Sequence, residues 1–317
     1  MGKFSEFINR IWNGKNYEKK GIDISIPKEN ERIFTESEEK KRIPYINIIL
    51  LLITIFTTLV AGALIEGANI ISDFSSLKIG IPFSFTLISI LGFHELGHFV
   101  VSRLHGVKAT LPYFIPAPPP FFFIGTFGAF IKVKSPIYDK KTLLDIGAAG
   151  PIAGFLIAVP SIIWGLQISE VKEVLPGQGL KLGNSLLLYI AEKIIYGDIP
   201  PGYDIHLGSV AFAGFIGLLV TAFNLMPIGQ LDGGHIAYAL FGNKQRIIAK
   251  IFFLSLFVLG FVCWLGWLVW AFLVYAIGFR HPPTAYDFID IDKKRKIIGY
   301  ICVGIFILCF TPIPFSF

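Results

Sequence analysis

The pentapeptide His94-Glu95-Leu96-Gly97-His98 lies inside an apolar run, residues 81–101, long enough to cross a lipid bilayer. In an α-helix, residues four apart project from one face, so His94 and His98 offer two imidazole nitrogens to one metal ion. Glu95 stands beside them, where a carboxylate can take a proton from a metal-activated water whose pKa has dropped from ~15.7 to about 7. Charged groups at membrane depth cost roughly 2.5 to 3.5 kcal/mol each on insertion scales, so this cluster in an otherwise uncharged run calls for a function.

The 317-residue chain is apolar as a whole: 54% hydrophobic, 16% charged, mean hydropathy +0.66. Such a chain reads as an all-α polytopic membrane protein rather than a soluble domain. The net charge of +6 does not point to nucleic acid, because most basic residues flank apolar spans, as the positive-inside rule expects. Cys263, Cys302 and Cys309 lack the paired spacing of a zinc ribbon or a disulfide framework and are expected to be buried thiols with no redox role.

Residues 1–43 carry ten Lys or Arg among acids and few periodic apolar positions, which predicts a solvated cytoplasmic arm with no cleavable signal peptide of the usual form. The transmembrane domain then occupies 44–317, with spans near 45–65, 79–102, 143–168, 207–226 and 297–313. Residues 247–279 exceed one span. A basic segment lies on either side of them, Lys244 and Arg246 before, Arg280 and Lys293 to Lys296 after, so two short crossings turning near 260–266 are expected. The total is six to seven helices. The acidic loop 169–206 falls outside, and the metal falls toward the cytoplasm, because Arg103 and Lys108 follow the HELGH span at once.

Residues 111–135 break the helical pattern. Prolines at 112, 116 and 118–120 forbid a regular helix, whereas 127–134 alternate like a strand. Irregular backbone at membrane depth must be buried in protein or line a wet cavity, which predicts a small re-entrant loop and β-hairpin beside the site; a loop lying on the headgroups is the alternative.

A catalytic zinc needs a third protein ligand and an open fourth position. Asp232, His235 and His105 are the candidates. Asp232 follows the fourth span on the same side as His98, and Gly233 and Gly234 behind it permit a sharp turn that could aim the carboxylate inward.

HELGH in one span, Gly150-Pro151-Ile152-Ala153-Gly154 in the next, and Asn224-Leu225-Met226-Pro227 ahead of Leu231-Asp232-Gly233-Gly234-His235 resemble the site-2 protease family of intramembrane zinc metalloproteases over roughly 79–240. The resemblance implies one Zn2+ per chain held by His94, His98 and Asp232, with Glu95 as catalytic acid and base. It makes Asn224 a match for the family's Asn ahead of Pro; Asn224 and Gly128 are candidates for holding substrate or the oxyanion, and His235 for a supporting role behind the ligands. Residues 169–206 are too short for a typical PDZ fold, so substrate selection by an appended domain is not expected. The implied activity is hydrolysis of peptide bonds in or near transmembrane segments, in regulated intramembrane proteolysis at the cell's inner or plasma membrane. Partners would be the bilayer, transmembrane substrates, and regulatory membrane proteins or a second copy.

A metal transporter or a non-proteolytic scaffold gripping transmembrane helices is the competing class. An intact Glu95 argues against the scaffold, and a transporter would spread polar residues over several spans instead of gathering them at two span ends.

Overall fold

A computed structural model describes residues 44–119, 122–173, 181–279 and 281–316. The basic arm expected at 1–43 lies outside the described residues.

The first helix, α1 (Tyr45–Ile65), is apolar around most of its surface and buries a threonine stripe. Those hydroxyls need partners away from water: Thr54 donates to the Leu50 carbonyl at 2.8 Å, and Thr58 meets Ser84 Oγ at 2.7 Å. Asp73 caps the 3-10 turn Phe74–Gly80 by accepting from Ser75 N, and Pro82 opens α2 (Ile81–Leu104), where its missing N–H costs no helical bond. Along α2, Phe83, Leu87, Ile90, Leu91, His94, Glu95, His98 and Ser102 form the buried stripe, while Phe85, Phe93 and Val100 face outward. Helical period therefore places both histidines inward.

A β-hairpin forms where the strand pattern stood. Strand β1 (Tyr113–Pro116) pairs antiparallel with β2 (Thr126–Phe130), Tyr113 opposite Phe130 and Ile115 opposite Gly128, and an Ala109–Val133 bridge extends the ladder. Asn47 Nδ2 donates to the carbonyls of Leu111 and Pro112, and Thr57 Oγ1 to that of Gly125 at 2.6 Å, which moors the hairpin along α1.

The long helix α3 (Lys140–Gln167) starts at Asp139, whose side chain accepts from Thr142 N at 2.9 Å. The loop beyond it is more structured than its polar composition suggested: β3 (Glu170–Glu173), β4 (Lys181–Leu182), helix α4 (Leu186–Tyr196) and β5 (Tyr203–His206) lie within it, with β3 paired to β5. Short, mostly exposed strands leave little hydrophobic alternation to read.

Helix α5 (Ser209–Asn224) has nearly every residue buried. It packs with α2 and α3 around the main apolar core, which includes Phe83, Ile90, Ile162, Phe215 and Leu218. Helix α6 (Asp232–Phe241) runs through a 3-10 turn into α7 (Gln245–Val262), followed by α8 (Gly266–Ile277), α9 (Lys293–Cys309) and β6 (Phe315–Ser316), which pairs with β4. Residues 247–279 thus hold two helices, with the break at 263–265, and Gln245 Nε2 at the start of α7 donates to the Phe279 carbonyl just beyond α8. The three cysteines are free.

Among the described residues, four helical stretches are long and apolar enough to cross a membrane: Tyr45–Ile65, Phe74–Leu104, Lys140–Gln167 and Asp232–Val262. This is fewer than the six to seven expected. With 16 residues, α5 is about 24 Å long, shorter than a bilayer core, and its burial explains how it can be. The last of the four begins at Asp232, not near 247, because α6 continues almost directly into α7.

Helix ends fall into two sets. At one, β4 pairs with the C-terminal β6, and Glu66 after α1 accepts from Ser209 N and Oγ at the start of α5. At the other, the end of α2 and the starts of α3 and α9 converge, since His105 and Arg295 both reach Asp145.

A candidate metal centre between two helices

His94 Nε2 and His98 Nε2 lie 3.2 Å apart, with rings nearly perpendicular at 72°. Asp232 Oδ2 is 3.3 Å from the first and 3.2 Å from the second. Both histidines are buried, and among the described residues this is the one group of three metal-ligating side chains whose donor atoms all lie within 4.8 Å of one another. Two imidazole nitrogens and a carboxylate oxygen form the donor set of a catalytic zinc site, and they leave a fourth position open. The site fits the ion.

Asp232 arrives there through the loop 225–231 and opens α6 at its first residue. Gly233 and Gly234 do not make the sharp turn anticipated for them. They sit in the first turn of α6, where a Cβ on Gly233 would overlap the Leu225 carbonyl and one on Gly234 the Gly229 carbonyl. The glycines let α6 pack its backbone directly on the preceding loop, and this close approach carries the carboxylate inward.

Helix α3 completes the pocket. His98 Nδ1 donates to the Ile146 carbonyl at 2.8 Å, which orients the ring and leaves Nε2 as the nitrogen facing Asp232. A side chain at Gly150 would overlap the His98 ring, and Gly154 faces His94 at close contact. The Gly-Pro-Ile-Ala-Gly segment is thus the floor on which the two imidazoles rest. That Ile146 contributes its carbonyl is invisible in sequence, because every residue carries one.

Glu95 Oε1 lies 3.9 Å from His94 Nε2, and the side chain is buried. The backbone amide of Ile131, just past β2, faces its carboxylate. Asn224, closing α5, brings Nδ2 to 3.5 Å from His94 Nε2. The three segments singled out in sequence therefore meet at one point.

Two other candidates turn elsewhere. His105 Nε2 pairs with Asp145 at 2.9 Å, and His235 Nδ1 meets His281 Nε2 at 2.7 Å. Because His281 Nδ1 lies 2.6 Å from the Pro282 carbonyl and must donate to it, His281 Nε2 accepts from His235. Gly128 sits in β2 at φ +105°, and its N–H is engaged by Thr126 Oγ1 at 3.0 Å, whereas the amide facing Glu95 belongs to Ile131.

Known proteins share this pattern. Residues 82–263 match the sequence model of the family described as "Peptidase family M50". A protein of Oryza sativa subsp. indica named "Probable zinc metalloprotease EGY2, chloroplastic" is 29% identical over 281 residues, covering 84% of this chain and 49% of that protein. Two Arabidopsis thaliana proteins are similar: "Probable zinc metalloprotease EGY1, chloroplastic" at 30% over 243 residues (74% of this chain, 43% of its own length), and "Probable zinc metallopeptidase EGY3, chloroplastic" at 27% over 284 residues (81% and 48%). The chain spans about half the length of the curated relatives it matches. With the family match covering the HELGH helix, the glycine floor and the Asp232 turn alike, this chain belongs to peptidase family M50, the site-2 protease family of zinc metalloproteases.

Proposed function

We propose that the protein is a zinc-dependent intramembrane endopeptidase that hydrolyses peptide bonds within or near transmembrane segments of other membrane proteins. The observation that carries this reading is the convergence of His94, His98 and Asp232 with Glu95 beside them, inside a bundle of apolar helices. In it, His94, His98 and Asp232 hold the ion and Glu95 is the acid and base.

When bound, Zn2+ supplies Lewis acidity toward a carbonyl oxygen and toward water. The protein's own groups do the rest. Glu95 takes the proton of the attacking water and returns it to the departing amine nitrogen. Asn224 Nδ2, close to His94 Nε2, donates toward the oxygen on which negative charge grows. A helical substrate hides its carbonyls in internal hydrogen bonds, so it must unwind. Strand β2 and its continuation through residue 133, with Gly128 open toward solvent, pair with the extended stretch by strand addition.

Seven crossings serve this reading: α1, α2, α3, α5, α7, α8 and α9, with the hairpin re-entering beside α2 and the arm 1–43 in the cytoplasm. Support comes from the two sets of helix ends, since the loop 169–206 shares one set with the chain's C-terminal strand while the basic start of α9 belongs to the other. His98 stands six residues, about 9 Å, before the end of α2, so a short polar passage from the cytoplasmic side reaches it. The membrane is the cell's inner or plasma membrane, and the role is regulated intramembrane proteolysis, alone or with membrane partners.

The decisive experiment is Glu95→Gln in the purified full chain. Cleavage of a membrane substrate falls by about 10²–10⁴-fold while one zinc per chain remains. Undiminished cleavage removes Glu95 from the mechanism, and a parent that binds zinc yet cleaves nothing returns the transporter reading.

A further inference from the structure

Beyond the metal pocket, toward the end where α2 finishes and α3 and α9 begin, a second polar cluster surrounds Asp145. Its side chain is fully buried. Arg295, in the first turn of α9, grips it as a fork: Nε donates to the two carboxylate oxygens at 2.9 and 3.0 Å and Nη2 to Oδ2 at 2.7 Å. Nη1 is held by Asp292, the N-cap of the same helix, at 2.5 Å. His105, at the end of α2, places Nε2 2.9 Å from Asp145 Oδ2. One carboxylate thus ties together three helices.

Buried ion pairs give little net stability compared with apolar residues of the same shape, because desolvation offsets the attraction. What such a fork supplies is geometry. Asp145 precedes Ile146, whose carbonyl receives His98 Nδ1. His98 and His105 are seven residues apart on α2, two turns or about 10 Å along one face. Adjacent residues of α3 therefore touch α2 at two points, and the pair of contacts defines the rotation and register of α3 against the helix that bears the histidines.

We propose that Asp145, clamped by Arg295 and His105, is a positioning residue for the metal centre: it sets where the Ile146 carbonyl meets His98 and so keeps Nε2 aimed at the ion. This rests on the proposed role of His94, His98 and Asp232 as ligands. The clamp joins the ligand-bearing helix to α9, outside the matched segment 82–263.

The test uses the full chain in detergent or nanodiscs, stripped of metal, with zinc affinity read by chelator competition alongside apo-protein melting, kcat and KM. Asp145→Asn, and Asp145→Asn combined with Arg295→Gln, which removes both charges of the buried pair, are expected to bind one zinc with about tenfold or weaker affinity. In both, kcat drops while KM holds; the double variant also keeps the apo melting point, whereas Asp145→Asn alone lowers it. Arg295→Lys, a point charge without the fork, falls between them and the parent. The proposal is overturned if the double variant regains parental zinc affinity and kcat, since only an unpaired charge then mattered. It also falls if neither variant folds without metal, which would make the cluster a folding staple. Failure of the ligand assignment looks different: the parent binds zinc and His98→Ala binds it equally well.

Discussion

Asp232 Oδ2 stands 3.2 Å from His98 Nε2, although Asp232 opens α6 and His98 lies within α2, far apart in the chain. The helix start at Asp232 brings the carboxylate to a histidine held from behind by the Ile146 carbonyl.

Replacing Asp232 by Asn keeps the shape and removes the charge. Zinc affinity should fall by well over tenfold, since supporting residues alone are worth about 10–100-fold. Metal content after dialysis against a buffered zinc solution reads the effect, and parental content would remove Asp232 from the ligand set.

Gly150→Ala puts a methyl group into the His98 ring. Overpacking of this kind costs about 1–3 kcal/mol, and zinc binding should weaken with it. Gly304→Ala on α9, where a Cβ meets open space, should be neutral or mildly stabilising by up to ~1 kcal/mol. Melting the two variants side by side checks both, and equal behaviour would contradict the packing described here.

Thr57→Val cuts the tie from α1 to the Gly125 carbonyl near the hairpin tip. A lost buried hydrogen bond costs about 1 kcal/mol or somewhat more. If the hairpin receives substrate, KM rises while zinc affinity is unchanged; a loss of zinc with KM intact would place the hairpin's role at the metal instead.

Glu192 on α4 has its carboxyl pushed up to about 7 by burial, partly countered by the Asn184 hydrogen bond. A carboxyl whose pKa is raised by folding holds its proton better in the folded state, so stability declines as pH climbs from the ordinary value near 4.5 through about 7. Glu192→Gln should flatten that decline. Thermal unfolding at pH 5 and pH 8 compares them, and parallel curves would show that Glu192 is more solvated than its surroundings indicate.

Hydropathy and helical period carried much of the fold. The helices α1, α2, α3 and α5 lie where the apolar runs stand, and 247–279 divides into two helices within the stretch 260–266 where the turn was expected. The strand pattern at 127–134 and the prolines before it announced the hairpin. Exposed short strands and α4 in the 169–206 loop went unread, because pairing there depends on neighbours rather than alternation. The Gly233-Gly234 pair was read as a turn, since glycine signals turning and close packing with the same letters.

The sequence by itself determined that two imidazoles and a carboxylate share one turn of a buried helix, because local period dictates which residues face inward. Only the tertiary structure decided the rest of the centre: Asp232 over His235 and His105 as the group facing the imidazoles, the Ile146 carbonyl behind His98, and the Ile131 amide toward Glu95. Those placements depend on how separate helices rotate and slide against one another, and backbone carbonyls and amides, identical at nearly every residue, leave no mark in the sequence.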